Sequence, residues 1–201
     1  MKKTVLLATQ NAHKASELKE ILPDYEILTL KDISFEDDIE ENGDSFEANA
    51  LIKARAAHAR SGLVCIADDS GLCVDSLGGR PGIYSARYSG GSFHDNNVKL
   101  LAELKEVPKE RRTAQFVCSA ACVYPNGRES VHTAKVAGHI TEHLEGEEGF
   151  GYDPVFFCDE KNKTYANMSA DEKNSVSHRK RAFEMLKCEL DKYFEDEDIT
   201  K

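Results

Sequence analysis

The chain opens with a short apolar run, Thr4–Ala8, bounded by polar residues as a buried strand would be. Thr9, Gln10 and Asn11 then lead into Ala12–Leu22. There Ala15, Leu18, Ile21 and Leu22 recur at helical spacing, and Pro23 stops the helix. Tyr25–Leu30 reads as a second strand. Asp44 with Glu47 three positions later resembles a capping box, with Asp in place of the usual Ser or Thr. It predicts the start of an alanine-rich helix that runs to Ser61 and ends at Gly62. Leu63–Ala67 predicts a third strand ending in Asp68-Asp69-Ser70-Gly71, and Leu72–Leu77 reads as an arm folding back in a hairpin.

A glycine-rich loop follows from Gly78 to Gly91. Ser92 with Asp95 predicts the cap of a helix carrying Val98, Leu101 and Leu104. Thr113–Tyr124 and Ser130–Ile140 are β-rich arms joined at Pro125-Asn126-Gly127, a strong hairpin signal. Phe150–Cys158 mixes loop and strand, and Ser169 with Glu172 caps a short turn. The last helix carries Phe183, Leu186, Leu190 and Tyr193 with Phe194 on one stripe; a polar tail from Glu195 to Lys201 is expected to fray. The order predicts an α/β fold: an elongated, twisted mixed β-sheet flanked by helices, in two lobes around a central cleft.

Composition narrows the classes. With 201 residues, 40% apolar and 31% charged, the chain suits a single domain over residues 1–201 with a real core. No apolar run approaches the roughly 18 residues that span a bilayer. The stretch after Met1 and Lys2 turns polar too soon for an export signal. The net charge of −10 argues against sequence-blind duplex binding, so neither nucleic acid nor membrane is an expected partner. The six cysteines, Cys65, Cys73, Cys118, Cys122, Cys158 and Cys188, read as reduced, buried small hydrophobes.

Six stretches could carry chemistry. Thr9-Gln10-Asn11-Ala12-His13-Lys14 lies at a strand-to-helix junction, where free N–H groups, neutral donors and the Lys14 charge suit phosphate; an ordinary Asn cap beside a surface lysine is the plainer reading. Lys53 sits on the apolar stripe of its helix with Phe46, Ala50 and Ala57, so it must snorkel, pair with a carboxylate, or meet an anionic ligand; Asn49 lies one turn earlier. Asp68 and Asp69 end a strand, and alternation along an extended strand sends them to opposite faces. Their hard oxygens suit Mg²⁺, and the acidic run from Glu36 offers Glu40 and Glu41 as a second carboxylate, unless it is only a solvated charge run. Phe150-Gly151-Tyr152-Asp153-Pro154 sets aromatic faces beside a carboxylate, either to stack on a base or as a core pair at a turn. Lys173 to Arg181, with His178 and Arg179, is the one dense basic patch. It reads as donors for a carbonyl-bearing base or phosphate, or as a solvated helix start. No P-loop, dinucleotide-binding, serine-elbow or HExxH pattern occurs.

Taken in order, Thr9-x-Asn11-x-x-Lys14, Ser45-Phe46-Glu47-Ala48-Asn49-Ala50 with Lys53, Asp68-Asp69-Ser70-Gly71-Leu72, Gly79 through Arg87, Phe150 through Pro154, and Ser177-His178-Arg179 resemble the inosine/xanthosine triphosphate pyrophosphatase family. The resemblance covers residues 4 to about 190. It implies Mg²⁺-dependent hydrolysis of non-standard purine nucleoside triphosphates (ITP, dITP, XTP) to monophosphate and pyrophosphate by a cytoplasmic homodimer. Thr9, Gln10, Asn11, Ala12, His13 and Lys14 would hold the triphosphate, aided by Lys53. Glu40 and Asp69 would meet the metal, Asp69 would be the catalytic carboxylate, and Ser70 would contact substrate. Phe150, Gly151, Tyr152, Asp153, Lys173, His178 and Arg179 would line the nucleotide site. Donors from Lys173, His178 or Arg179 facing the purine 6-carbonyl would disfavour adenine. The rival expectations are a Maf-type pyrophosphatase with another base preference, a nucleotide sensor without turnover, and an oligomeric interaction protein.

Overall fold

The computed structural model describes residues 3–35 and 37–199. Met1 and Lys2 of the opening stretch, Glu36 at the head of the acidic run, and Thr200 and Lys201 of the tail lie outside them. The strands are β1 (Lys3–Leu7), β2 (Tyr25–Thr29), β3 (Cys65–Val74), β4 (Thr113–Val123), β5 (Glu129–Ile140), β6 (Phe156–Cys158) and β7 (Lys163–Thr164). The helices are α1 (Ala12–Ile21), α2 (Phe46–Ser61), α3 (Phe93–Glu103), α4 (Ala170–Val176) and α5 (His178–Ile199). All seven strands form one twisted sheet in the order β2-β1-β3-β4-β5-β6-β7. β1 pairs in parallel with β2 and β3, whereas β6 is antiparallel to both β5 and β7, so the sheet is mixed. Among the described residues no helix is long and apolar enough to cross a membrane.

The chain forms two compact units. The first comprises Met1–Asp69, Cys118–Ala134 and Arg179–Lys201. Alternation along β1 gives it two cores. Val5 and Leu7 pack with Leu18 and Leu22 of α1 and with Phe183, Leu186 and Leu190 of α5. Leu6 and Ala8 pack with Ala50, Ala54 and Ala57 of α2. Small residues on that face of α2 let it lie close to the sheet, which later matters for Asn49 and Lys53. The second unit comprises Ser70–Val117 and Lys135–His178. Its single core joins Leu100 and Leu104 of α3 and its C-terminal edge to Phe116, Val136, Tyr152, Phe156 and Tyr165. The Arg112 guanidinium, 4% exposed, donates to the Val107, Thr141 and Leu104 carbonyls at 2.9, 2.9 and 2.8 Å, and so closes the end of α3.

Four expectations are corrected. The cap of α2 is Ser45, not Asp44: Ser45 is extended (φ −145°, ψ 162°), and its hydroxyl accepts from Ala48 N at 3.2 Å. The third strand does not end at Asp68. It continues to Val74, because Gly71 stays out of the left-handed region that a turn there would need. The reversal comes later, where Gly78 and Gly79 adopt φ 63° and 85° and Gly79 N donates to Val74 O at 3.0 Å. The tail does not fray at Glu195, since α5 runs to Ile199 with Tyr193 and Phe194 packed against the first core. Cys188 is exposed and Cys73 half-buried rather than buried, and all six cysteines are free thiols.

Candidate active site

In the first unit the chemistry gathers around two neighbouring carboxylates on β3. Continuation of the strand sends Asp68 and Asp69 to opposite sides, and each meets a different helix. Asp68 is fully buried; its Oδ2 lies 3.0 Å from Lys14 Nζ of α1 and 3.2 Å from Arg179 Nε of α5. Cys118 Sγ approaches the same oxygen at 3.8 Å. Arg179 also donates through Nη1 to Glu17, one turn along α1 from Lys14. Burial alone would raise the Asp68 pKa, yet Lys14, Arg179 and Lys53 together hold it well below the usual carboxylate range. Its Oδ1 is buried and has no hydrogen-bond partner among the described residues.

Asp69, 8% exposed, faces α2. Asn49 Nδ2 donates to its Oδ2 at 3.1 Å, and Lys53 Nζ stands 3.8 Å from its Oδ1. Lys53 pairs more tightly with Glu41, at 2.8 Å. Burial therefore dominates, and the Asp69 pKa is raised despite Lys53 and Lys14. The cation on the apolar stripe of α2 is thus held by carboxylates rather than snorkelling into water. Asn49 Oδ1 accepts from Gly43 N at 2.9 Å, which ties the acidic loop back to α2. Glu40 is exposed, and Glu41 is the acidic-run residue that reaches Lys53.

The Thr9–Lys14 stretch forms the start of α1. Asn11 is its N-cap, with Oδ1 accepting from His13 N and Lys14 N at 3.0 and 3.3 Å, and Thr9 Oγ1 accepts from Asn11 N at 3.2 Å. Gln10, Ala12 and His13 are exposed. The plain cap reading holds for Asn11, while Lys14 is drawn inward onto Asp68.

In the second unit a turn presents Phe150. Asp153 Oδ2 accepts from Phe150 N at 2.8 Å and from Lys173 Nζ at 2.7 Å. A Cβ on Gly149, whose φ is 80°, would lie 2.1 Å from that same oxygen, so the turn requires glycine there. Lys173 of α4 also stands over the Phe150 ring, 4.5 Å from its centroid. Tyr152 belongs to the core: it is buried, and its hydroxyl donates to Ser85 O at 2.9 Å. His178 is buried against Phe116, ring centroids 4.7 Å apart and planes nearly parallel, and Phe116 stacks in turn on Tyr165. Ser70 is half-buried on β3.

Thus Asp69 and Lys53 share a cluster in the first unit, where Lys14 and Arg179 meet through Asp68. Phe150, Asp153 and Lys173 form another in the second. Arg179, expected beside the aromatic turn, is engaged by Asp68 and Glu17. Residue patterns gave little signal for Asp68 as a buried hub or for Glu17. The available hint was a second acid in an apolar strand and a carboxylate at helical spacing from Lys14.

A family model described as the Ham1 family matches residues 5–189. The chain belongs to the Ham1 family. A dITP/XTP pyrophosphatase of Clostridium perfringens is 48% identical to this Ham1-family chain over 198 residues, covering 94% of it and 97% of the relative. One from Bacillus subtilis is 46% identical, covering 92% and 95%. Among solved structures, a Staphylococcus aureus Ham1 protein superposes with a TM-score of 0.86 at 39% identity, covering 95% of this chain and 100% of that one. A dITP/XTP pyrophosphatase from Mycobacterium abscessus gives 0.76 at 44% identity, covering 91% and 98%. The family resemblance carried by the six motifs therefore stands.

Proposed function

We propose that this chain hydrolyses non-standard purine nucleoside triphosphates (ITP, dITP, XTP) to the monophosphate and pyrophosphate with Mg²⁺, working over residues 1–201 as a cytoplasmic homodimer. The observation that carries the proposal is Asp69, a buried carboxylate with a raised pKa that accepts from Asn49 and faces Lys53. A desolvated carboxylate so placed is a stronger proton acceptor than one in water.

Hard carboxylate oxygens suit a divalent cation, although among the described residues no three His, Cys, Asp or Glu side chains gather into a ready-made metal cage. Asp69 is desolvated and incompletely balanced by positive charge, and its nearest acidic neighbours in the chain's acidic run are oxygen donors. Asp69 with Glu40 or Glu41 would hold Mg²⁺, Glu41 being the one in contact with Lys53. Bound there, Mg²⁺ would supply charge neutralisation on phosphate oxygens and on the departing pyrophosphate. The chain's own part is binding and proton handling. The Thr9 hydroxyl, Asn11 Nδ2 and the positive end of the α1 dipole would meet phosphate oxygens, and Lys14 and Lys53 add positive charge. Asp69 would orient a water and accept its proton as the water oxygen forms the new bond to the α-phosphorus. The bond to the bridging oxygen breaks, and pyrophosphate leaves. Phe150 offers a face for the purine, and Lys173 with His178 would supply donors for its 6-carbonyl, while Arg179, engaged by Asp68 and Glu17, would hold the Asp68 cluster. Ser70 and Gly151 would complete the substrate contacts, while the buried Tyr152 and Asp153 hold the turn that presents Phe150.

The test is pyrophosphate release from ITP, dITP, XTP, GTP, ATP and dTTP with Mg²⁺. The expected outcome is high kcat/KM for the first three and roughly 10⁴-fold lower for ATP, as polar mismatch allows. Equal values for ITP and ATP would refute the base assignment, and best turnover of a pyrimidine would favour the Maf-type alternative.

A further inference from the structure

The turn that presents Phe150 is anchored from α3 by one side chain that no motif singled out. Asn97 is 3% exposed, and its Nδ2 donates to Gly151 O at 2.8 Å. Its own Oδ1 is buried and has no hydrogen-bond partner among the described residues. Burying an amide oxygen unpaired costs free energy, so the amide is not oriented for its own satisfaction. The orientation serves the bond to Gly151, which lies between Phe150 and Tyr152. Gly151 has φ 64°, a region where glycine lacks the steric restraint of a side chain, so the peptide needs an outside anchor to keep one geometry. Tyr152 fixes the turn from beyond through Ser85 O, and Asp153 with Lys173 fixes it from below Phe150. Asn97 is the anchor on the intervening peptide.

We propose that Asn97 is a positioning residue for the purine: by clamping the Gly151 carbonyl it sets the attitude of Phe150 and hence the affinity for the base. This rests on the reading of Phe150 and Lys173 as the base site. Removing the Nδ2 donor should weaken whatever depends on the base and spare whatever depends only on phosphates.

The probes are inosine monophosphate and pyrophosphate as inhibitors of ITP hydrolysis by the full chain with Mg²⁺. For Asn97→Leu, of similar volume, inhibition by inosine monophosphate should weaken roughly tenfold, as one lost hydrogen bond allows, while inhibition by pyrophosphate stays unchanged. Asn97→Asp adds a readout that a purely structural role would not move. Its carboxylate repels the carbonyl, but once protonated it donates to it. Affinity for inosine monophosphate, relative to wild type at each pH, should therefore recover as the pH falls. If Asn97→Leu does not fold, that pH series decides alone. Equal weakening of both inhibitors, no weakening of either, or no recovery for Asn97→Asp would overturn the proposal. Lys173→Met in parallel separates the two levels. If it leaves inosine monophosphate inhibition intact, the base-site reading fails and this inference with it; if it weakens that inhibition and Asn97→Leu does not, only the role of Asn97 falls.

Discussion

Asp68 and Asp69 are adjacent and chemically identical, yet their surroundings drive them apart. Asp68 is surrounded by Lys14, Arg179 and Lys53 and is held ionised; for Asp69, desolvation outweighs Lys53 at 3.8 Å and Lys14, and its pKa is raised. Two carboxyl groups separated in this way point to two roles, one fixing the cations and one handling the proton. The signs lead to opposite stability behaviour. The Asp68 pKa is depressed on folding, so its contribution is present above the unfolded value of about 3.9 and is lost as pH falls through the lower folded value. The Asp69 pKa is raised, so its contribution is full below the unfolded value and declines as pH rises through the folded one; at neutral pH its charge opposes folding. Asp69→Asn keeps an oxygen to accept from Asn49 and removes that charge. Without metal, its Tm should equal or exceed that of wild type, while kcat falls at least about 1,000-fold, an effect of the size expected for an essential proton acceptor. Calorimetry and a pyrophosphate-release assay read the two, and a lowered Tm or near-wild-type kcat would count against the account of Asp69. Arg179 gives the contrasting case. It is 2% exposed and bonded to Asp68 and Glu17, so Arg179→Met removes a buried cation that both acids share, leaving Lys14 on Asp68, and should cost about 3–5 kcal/mol in a urea melt.

Helices and turns in this protein act by bringing side chains to strands. α2 presents Ala50, Ala54 and Ala57 to the sheet and can lie close to it, which puts Asn49 and Lys53 within reach of β3. α3 has a different task, holding Asn97 under the Gly151 peptide. Its far end depends on Arg112, whose guanidinium satisfies three carbonyls at once. Arg112→Met fills similar space but removes the guanidinium donors of the Val107 and Thr141 carbonyls, while Leu104 O keeps Val107 N at 2.9 Å. Since bonds to a charged group contribute about 1.5–3 kcal/mol each and relaxation recovers part, a loss of roughly 3 kcal/mol is expected. Urea unfolding at constant m-value would measure it, and a change below about 1 kcal/mol, the worth of a single neutral bond, would mean water replaces the guanidinium.

The molecule as a whole divides its proposed labour between sets of residues. The cations Lys14 and Lys53 belong to the first unit, and the Phe150–Lys173 pair belongs to the second. If the first set reads phosphates and the second reads the base, single substitutions should separate the two. Lys53→Met is expected to lower kcat/KM for ITP and ATP by the same factor and leave their ratio intact. Lys173→Met is expected to reduce the ratio itself, because the donor to the 6-carbonyl is lost. A changed ratio for Lys53→Met, or an unchanged one for Lys173→Met, would contradict this division. The proposed homodimer has its own check: sedimentation at twice the mass of one chain.

Local chemistry made much of this legible in the residues alone. Capping boxes at Ser92–Asp95 and Ser169–Glu172, the reversal at Pro125-Asn126-Gly127 and the apolar stripes all depend on neighbours within a turn or two, and the structure contains each of them. The odd placement of Lys53 was visible for the same reason, since helical spacing alone set a cation among alanines. Contacts spanning long stretches of chain were not visible. Asp68 meets Arg179 across 111 residues and Asn97 meets Gly151 across 54, and nothing within either segment encodes the partner. The path of β3 through Asp68 to Val74 was hidden likewise, because a strand that carries two acids through a core persists only where distant cations meet them. Short-range periodicity specifies elements; the burial of charge, and with it the separation of the two aspartates, exists only once the chain has closed on itself.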